Sequence, residues 1–261
     1  MSALAIASTG MLAQQYNVEI ISNNLANMNT TAFKRQRAEF QDLLYQDLVR
    51  VGSQSSSTGT VVPSGVQLGV GVKLASVYRV GTAGSLSQTS NQLDLAIQGK
   101  GFFQVRMPNG ETAYTRAGAF QMSPTGEIVT ASGYTVEPGI TVPTDTQSVT
   151  INPNGEVIVK LAGQVALQNV GQLQIATFPN ESGLEARGDN LYVESPSSGA
   201  AAVGTPGALG YGSILQGYLE NSNVNAVDEI TSLISAQRAY EMLARVIEKA
   251  DQMSGTLSQM S

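Results

Sequence analysis

Catalysis and tight ligand binding need a small set of side chains at workable spacings, and two of the most useful are missing from these 261 residues. There is no histidine and no cysteine. Without imidazole there is no Ser-His-Asp triad, no general base poised near neutrality and no usual zinc site. Without thiols there is no Cys nucleophile, disulfide or thiolate metal centre, and the redox compartment stays open. Carboxylates, Lys, Tyr and Ser remain. Glu111, Glu127, Glu137 and Glu156 stand beside turn sequences, where a solvated carboxylate is the ordinary outcome. Nothing in their spacing sets two of them face to face, as a glycosidase requires. Asp94, between Leu93 and Leu95, is expected on the polar face of a strand.

The glycine-rich stretches are no better suited to chemistry. Gly99-Lys100-Gly101-Phe102-Phe103 follows one expected strand and leads into another, so no helix N-terminus stands there for a phosphate. A bulge or tight corner is expected instead. Val70-Gly71-Val72-Lys73 lacks the Walker spacing and the hydroxyl residue after its Lys, and no G-x-S-x-G elbow occurs. No catalytic, cofactor-binding or metal-binding residue is assigned, and no cofactor is implied.

The bulk numbers narrow the partners. A formal net charge of -6 and the lack of a basic stripe argue against nucleic acid. Charged residues make up only 13%, about half the usual share. No run approaches the roughly 18 apolar residues of a membrane helix, so no integral membrane protein is expected. No Lys or Arg precedes Lys34 and no continuous apolar core follows Met1, so a secretory signal is not expected and the ordinary route would leave the chain in the cytoplasm.

The ends of the chain carry the strongest periodicity. Leu4, Ala7, Met11, Val18, Ile21, Leu25 and Met28 fall on one heptad seam, broken only by Gln14. Glu19 is the sole charge before Lys34. A helix that is polar but uncharged suits contact on several faces, where buried charge would be costly. At the other end Leu233, Ala236, Tyr240, Leu243, Ile247, Ala250 and Leu257 form a second seam, broken by Ser254. That helix is expected to begin near Asn225 as N-cap, with Asp228 and Glu229 in its first turn and Glu241 four residues before Arg245. These last features read as surface supports. Each seam must bury against a partner, and a packing role between subunits is expected.

After the first helix, Thr31 is expected to cap a second, short helix with Phe33, Phe40 and Leu44 on one face and Lys34, Arg35 and Arg37 on its solvated side. Residues 52–65, rich in Ser, Gly and Thr, read as a flexible connector. From about Lys73 to Gln216 the pattern changes to strands and tight turns. Pro108-Asn109-Gly110, Pro124-Thr125-Gly126 and Pro153-Asn154-Gly155 each supply a preset first dihedral and a glycine for positive φ, the makings of three hairpins. Strands are expected at 74–80, 93–98, 102–107, 117–122, 127–130, 149–152, 156–161 and 173–178, in a compact, mainly antiparallel arrangement. The expected fold is α+β, with boundaries at 1–45 (N-terminal helical segment), 46–72 (connector), 73–217 (β domain) and 218–261 (C-terminal helical segment).

Several stretches together resemble the bacterial flagellar rod and hook axial proteins. The N-terminal signature is Asn24-Leu25-Ala26-Asn27-Met28-Asn29-Thr30-Thr31-Ala32-Phe33-Lys34-Arg35. The C-terminal one is Ser222-Asn223-Val224-Asn225, followed by Gln237-Arg238-Ala239-Tyr240-Glu241. Between them, 96–105 and 114–120 look like the family's shared β domain. The similarity covers essentially the whole chain and is strongest to subunits of the distal part of the rod. Many relatives have a glycine where this chain has Ala32, which affects local turn geometry.

The resemblance implies a non-enzymatic structural subunit. Its terminal helices would pack as a coiled-coil-like inner layer of a tubular assembly, through Leu4, Met11, Val18, Ile21, Leu25, Leu233, Ala236, Tyr240, Leu243 and Ile247. The implied partners are other copies of the chain, the proximal-rod proteins, the hook protein, the P- and L-ring proteins and the flagellar type III export apparatus. Export by that apparatus, without a cleaved signal, would place the rod across the periplasm. A proximal-rod or hook paralogue is the nearest alternative. A secreted β-rich cell-wall hydrolase or binding module is the alternative from another class, and no residue constellation supports it.

Overall fold

The computed structural model describes residues 3–49, 64–164 and 166–260. They divide into two compact units, neither continuous in sequence. One is drawn from Met1–Ala26, Gln36–Tyr78 and Asn225–Ser261, the other from Asn27–Arg35 and Arg79–Val224.

The first unit is built on two helices, α1 (Ala3–Ala26) and α2 (Ala226–Met260). Gly10 of α1 lies against Leu243, and Asn24 bonds Glu229, so the helices run antiparallel along each other. A Cβ on Gly10 would stand 3.2 Å from Leu243 Cδ1, so the missing side chain is what allows the close approach. The Asn225 side chain accepts a hydrogen bond from the Val227 amide at 3.1 Å and caps α2. Among the described residues four strands complete this unit: β1 (Gln36–Asp42), β2 (Tyr45–Val49), β3 (Val66–Gly69) and β4 (Val72–Arg79), whose last residue begins the other unit. β1 pairs with β4, and β2 with β3.

Two expectations change here. No helix follows Thr31: residues 36–42 form β1, because pairing with β4 outweighs the helical spacing of Phe33, Phe40 and Leu44. Leu44 is 87% exposed. Strands β2 and β3 also occupy both flanks of the expected connector, whose residues 52–63 lie outside the described residues.

Among the described residues the regular elements of the second unit are all strands apart from one 3-10 turn. Its strands in order are β5 (Leu86–Gln88), β6 (Leu95–Gln98), β7 (Phe102–Arg106), β8 (Thr112–Thr115), β9 (Phe120–Met122), β10 (Ile128–Thr130) and β11 (Thr135–Val136). Then come β12 (Thr146–Ile151), β13 (Glu156–Leu161), β14 (Leu167–Gln172), β15 (Ile175–Thr177), β16 (Glu185–Gly188) and β17 (Leu191–Val193). The last are β18 (Ala202–Gly204), β19 (Ser213–Gln216) and β20 (Tyr218–Glu220), so strand continues past the 217 boundary drawn from sequence.

The three Pro-x-Gly turns close the hairpins β7–β8, β9–β10 and β12–β13, each antiparallel. In each, the glycine amide bonds the carbonyl three residues back, at 2.8 to 2.9 Å, and the glycine has φ near +82°. β7 is central to the large sheet, pairing with β8, β11 and β15. Its two adjacent phenylalanines point to opposite faces, as alternation requires. Phe103 packs edge-on to Phe120 in the main core, with Leu95, Ile97, Val157, Ile175 and Ile214, while Phe102 meets Phe178 and Tyr192 in a smaller aromatic cluster.

Candidate assembly surface

On α1 the heptad seam faces inward: Ala7 and Ile21 are buried, and Leu4, Met11, Gln14, Val18 and Leu25 are half-buried. On α2, Ala236 and Ala250 are buried and Leu233, Leu243 and Ile247 half-buried, whereas Tyr240 is 44% exposed. Small residues thus make the closest contacts and the larger ones are only partly covered. A second apolar set on α2 is exposed: Val227, Ile230, Ile234, Met242, Val246 and Met253. At 100° per residue Val227, Ile230, Ile234 and Met242 lie on the side opposite Ala236, Leu243 and Ile247, with Val246 and Met253 on its flank.

The polar contacts inside the helical unit are few and specific. The Asn24 amide donates to the Gln36 carbonyl at 2.8 Å and to Glu229 at 3.2 Å, and its oxygen accepts from the Gln36 N–H at 2.8 Å. Glu229 is wholly buried, so the expectation that it is a surface support is corrected. Glu241 and Arg245, read as a surface pair, form no ion pair among the described residues.

Signature residues of the second unit converge on one charged cluster. Glu220, 1% exposed, accepts from Lys34 Nζ at 2.6 Å, from Arg116 Nε at 2.6 Å and from the Gly84 amide at 2.9 Å. Arg116 spends its other donors on the carbonyls of Ile97, Gly99 and Gly101, at 2.6 to 3.0 Å. The Gly99-Lys100-Gly101 corner, with both glycines at positive φ, therefore serves as a guanidinium cradle. Burial pushes the Glu220 carboxyl up, but the Arg116 charge and the hydrogen bonds from Lys34 and Arg116 outweigh it and hold the group below the usual glutamate value. Lys34 is buried, not solvated as expected, because its ammonium has this carboxylate and the Thr82 carbonyl to bond.

Asn223 completes the arrangement. Its side-chain oxygen accepts from the Arg35 amide at 2.7 Å, and its nitrogen donates to the carbonyls of Val80 and Thr82, both at 2.9 Å. The Ser222 hydroxyl accepts from the Val224 amide, and the Thr31 carbonyl accepts from Asn190. Asn27 and Phe33 are half-buried, and Ala26 is exposed, as are Gln237, Arg238 and Glu241. Asp94 is buried and accepts from Asn91 at 2.9 Å, so it does not occupy a solvated strand face.

Sequence reading assigned no role to Arg116 or Glu220, and gave Glu229 only that of a first-turn surface support. The one available signal was an isolated charge in an otherwise uncharged stretch, as at Tyr114-Thr115-Arg116-Ala117. Nothing local ties Lys34, Arg116 and Glu220 together. Among the described residues no group of three or more acids or other ligands is placed to hold a metal ion, and no helix is long and apolar enough to cross a membrane.

Two terminal helices paired in one unit, with a second unit almost wholly of strand, define an α+β protein. The description "Flagella basal body rod protein" matches residues 4–34, "Flagellar hook protein FlgE/F/G D1 domain" matches 96–159, and "Flagellar basal body rod FlgEFG protein C-terminal" matches 215–260. The chain is 59% identical to the flagellar basal-body rod protein FlgG of Caulobacter vibrioides, over 100% of this chain and 99% of that one. It is 50% identical to the FlgG of Agrobacterium fabrum, over 99% and 98% of the two chains. Identity to the FlgG of a Buchnera aphidicola is 46%, over 99% of each chain. The chain belongs to the flagellar basal-body rod protein family. It is a structural subunit of the flagellar basal body.

Proposed function

We propose that the chain builds the distal rod, self-assembling into a tubular helical structure that carries motor torque to the hook. The observation that carries this reading is the doubly apolar α2. One side of it covers α1, and the opposite side exposes Val227, Ile230, Ile234 and Met242, a stripe that further helices would bury. Leu4, Met11, Val18, Ile21, Leu25, Leu233, Ala236, Tyr240, Leu243 and Ile247 make up the inner layer, packed in coiled-coil fashion within and between copies. A contact between two different faces of one chain does not close on itself, and so propagates as an open helix. Torque then passes through many small interfaces and not through any single one.

The role is mechanical and non-enzymatic. Proximal-rod proteins and the hook protein meet the two ends of the assembly, and the P- and L-ring proteins surround it. The chain reaches the periplasm through the flagellar type III export apparatus without a cleaved signal. Leu25→Asp or Leu233→Asp tests the reading, since each places a charge on a half-buried seam position. The expected outcome is loss of rods from purified basal bodies while the β unit keeps its folded circular-dichroism spectrum. Rods formed normally by either variant would remove the seam from the assembly.

A further inference from the structure

Between α1 and α2 lies an open notch of about 350 Å³, lined by Gln15, Val18, Glu19, Gln237, Tyr240 and Glu241. We propose that this notch receives Arg238 of a second copy of the chain, so that each subunit offers a basic knob and an acidic hole. The inference rests on the reading of the chain as a self-assembling subunit, and gives the residues through which the copies engage.

Three observations point to it. First, Glu19 is the only charged residue of α1 in 24 positions, and it stands on the notch rim, where Gln15 donates to it at 3.1 Å. Second, the other carboxylate on the rim, Glu241, has no cation beside it among the described residues, although Arg238 and Arg245 lie three and four residues away on the same helix. Third, Arg238 is exposed and free of ion pairs among the described residues, and shares its face of α2 with Ile234 and Met242, 45% and 61% exposed. A guanidinium between two apolar shoulders is thus presented on the face opposite the α1 contact.

The two surfaces match in chemistry. Val18 and Tyr240 give the notch an apolar floor for the shoulders and for the Arg stem, while Glu19 and Glu241 can take the planar guanidinium through its forked donors. Gln15 and Gln237 can supply the remaining amide bonds. Packing apolar α2 surface alone would leave two carboxylates desolvated without a partner, which is unfavourable. A cation on the incoming face removes that cost. The knob and hole are different surfaces, so the contact is heterologous and continues from copy to copy.

Charge exchange in the full chain tests this. Arg238→Glu should reduce the amount of chain incorporated into isolated basal bodies by roughly tenfold or more, with a matching loss of swimming. Adding Glu19→Arg to that variant should recover a large part of both. Dilute monomers of all three chains should have the same helix content and melting temperature, which separates a contact between copies from one within α2. A second arm uses the absence of cysteine: copies bearing only Glu19→Cys and copies bearing only Arg238→Cys are co-produced and treated with a short bismaleimide. The expected product is a mixed dimer from basal bodies and none from either variant alone. Incorporation of Arg238→Glu at the parent level, or assembled basal bodies without the mixed dimer, overturns the proposal and leaves the rod reading standing. A parent chain absent from basal bodies overturns both.

Discussion

The helical and β units bury opposite kinds of residue. Of the twelve largest side chains that are fully buried, eleven belong to the β unit, and ten of those are apolar. The twelfth, and the only one in the helical unit, is the carboxylate of Glu229. The β unit thus closes its own core, with Phe103, Phe120, Ile128, Leu173 and Ile175 shut from water. The helical unit closes on four alanines, Ile21 and the polar contacts of Asn24 and Glu229 among the described residues, and leaves larger apolar residues in solvent. A domain must offset the conformational entropy of its own chain by burial. The β unit has the means to do this alone, whereas in the proposed assembly the helices would draw on surface supplied by other copies.

The largest expected effect of that difference lies in amide exchange of the dilute monomer. The β7, β8 and β13 amides should exchange only through global unfolding, a barrier of about 5–15 kcal/mol for an ordinary domain. Amides of α1 and the second half of α2 should exchange through local opening at a small fraction of that cost, since isolated helices with partial partners are marginal. Both should become protected in assembled rods. Strong protection of residues 4–25 in dilute monomer would erase the contrast between the units.

The next effect is electrostatic and confined to the β unit. Glu220→Ala leaves Lys34 and Arg116 as buried cations without their carboxylate, and breaking a buried ion pair in this way costs about 3–5 kcal/mol. Denaturant unfolding followed by tyrosine fluorescence measures it. The sign of the pH dependence follows from the lowered value of the Glu220 carboxyl. Its contribution is present above the unfolded-state value and is lost as pH falls through the folded one. The parent should therefore lose stability on the acid side of the glutamate range, and Glu220→Ala should have a flatter acid limb. A cost below about 1 kcal/mol, in the range of exposed pairs, would show that the cluster does not organise this unit.

What sequence revealed and what it hid divides along the range of the interactions. The three Pro-x-Gly hairpins were legible because a turn depends on adjacent residues, and so were the two terminal helices, whose apolar spacing repeats within a single element. Strand β1 was not legible: the spacing of Phe33, Phe40 and Leu44 suits a helix, and only pairing with β4, more than thirty residues on, overrides it. The Lys34–Glu220–Arg116 cluster joins residues 82 or more positions apart, so a lone charge is all that sequence displays. Lys34 accordingly read as solvated, and Glu229 as a helix support. Family resemblance marked Asn24, Lys34 and Asn223 as signature positions, and only the structure shows what each one bonds.

The smallest effect concerns a buried non-glycine residue held in the left-handed region of the backbone. Ala32 has φ +57° and is buried, and its amide donates to the Glu220 carbonyl at 2.8 Å. In the left-handed region its Cβ crowds the backbone, at a cost of about 1–2 kcal/mol. Glycine removes that crowding but returns about 0.5–1 kcal/mol of freedom to the unfolded chain. Ala32→Gly should therefore stabilise the β unit by a net amount of roughly 0.5–1 kcal/mol, with no change in the exchange of α1. Ala32→Val should destabilise it by more than that, because a β-branched side chain tolerates positive φ least. The pair of variants separates backbone strain from packing: a cavity at the lost methyl would make glycine worse, whereas strain makes it better. Unfolding midpoints of the two proteins against the parent decide between them, and a glycine variant less stable than the parent would mean that the buried methyl matters more than the turn.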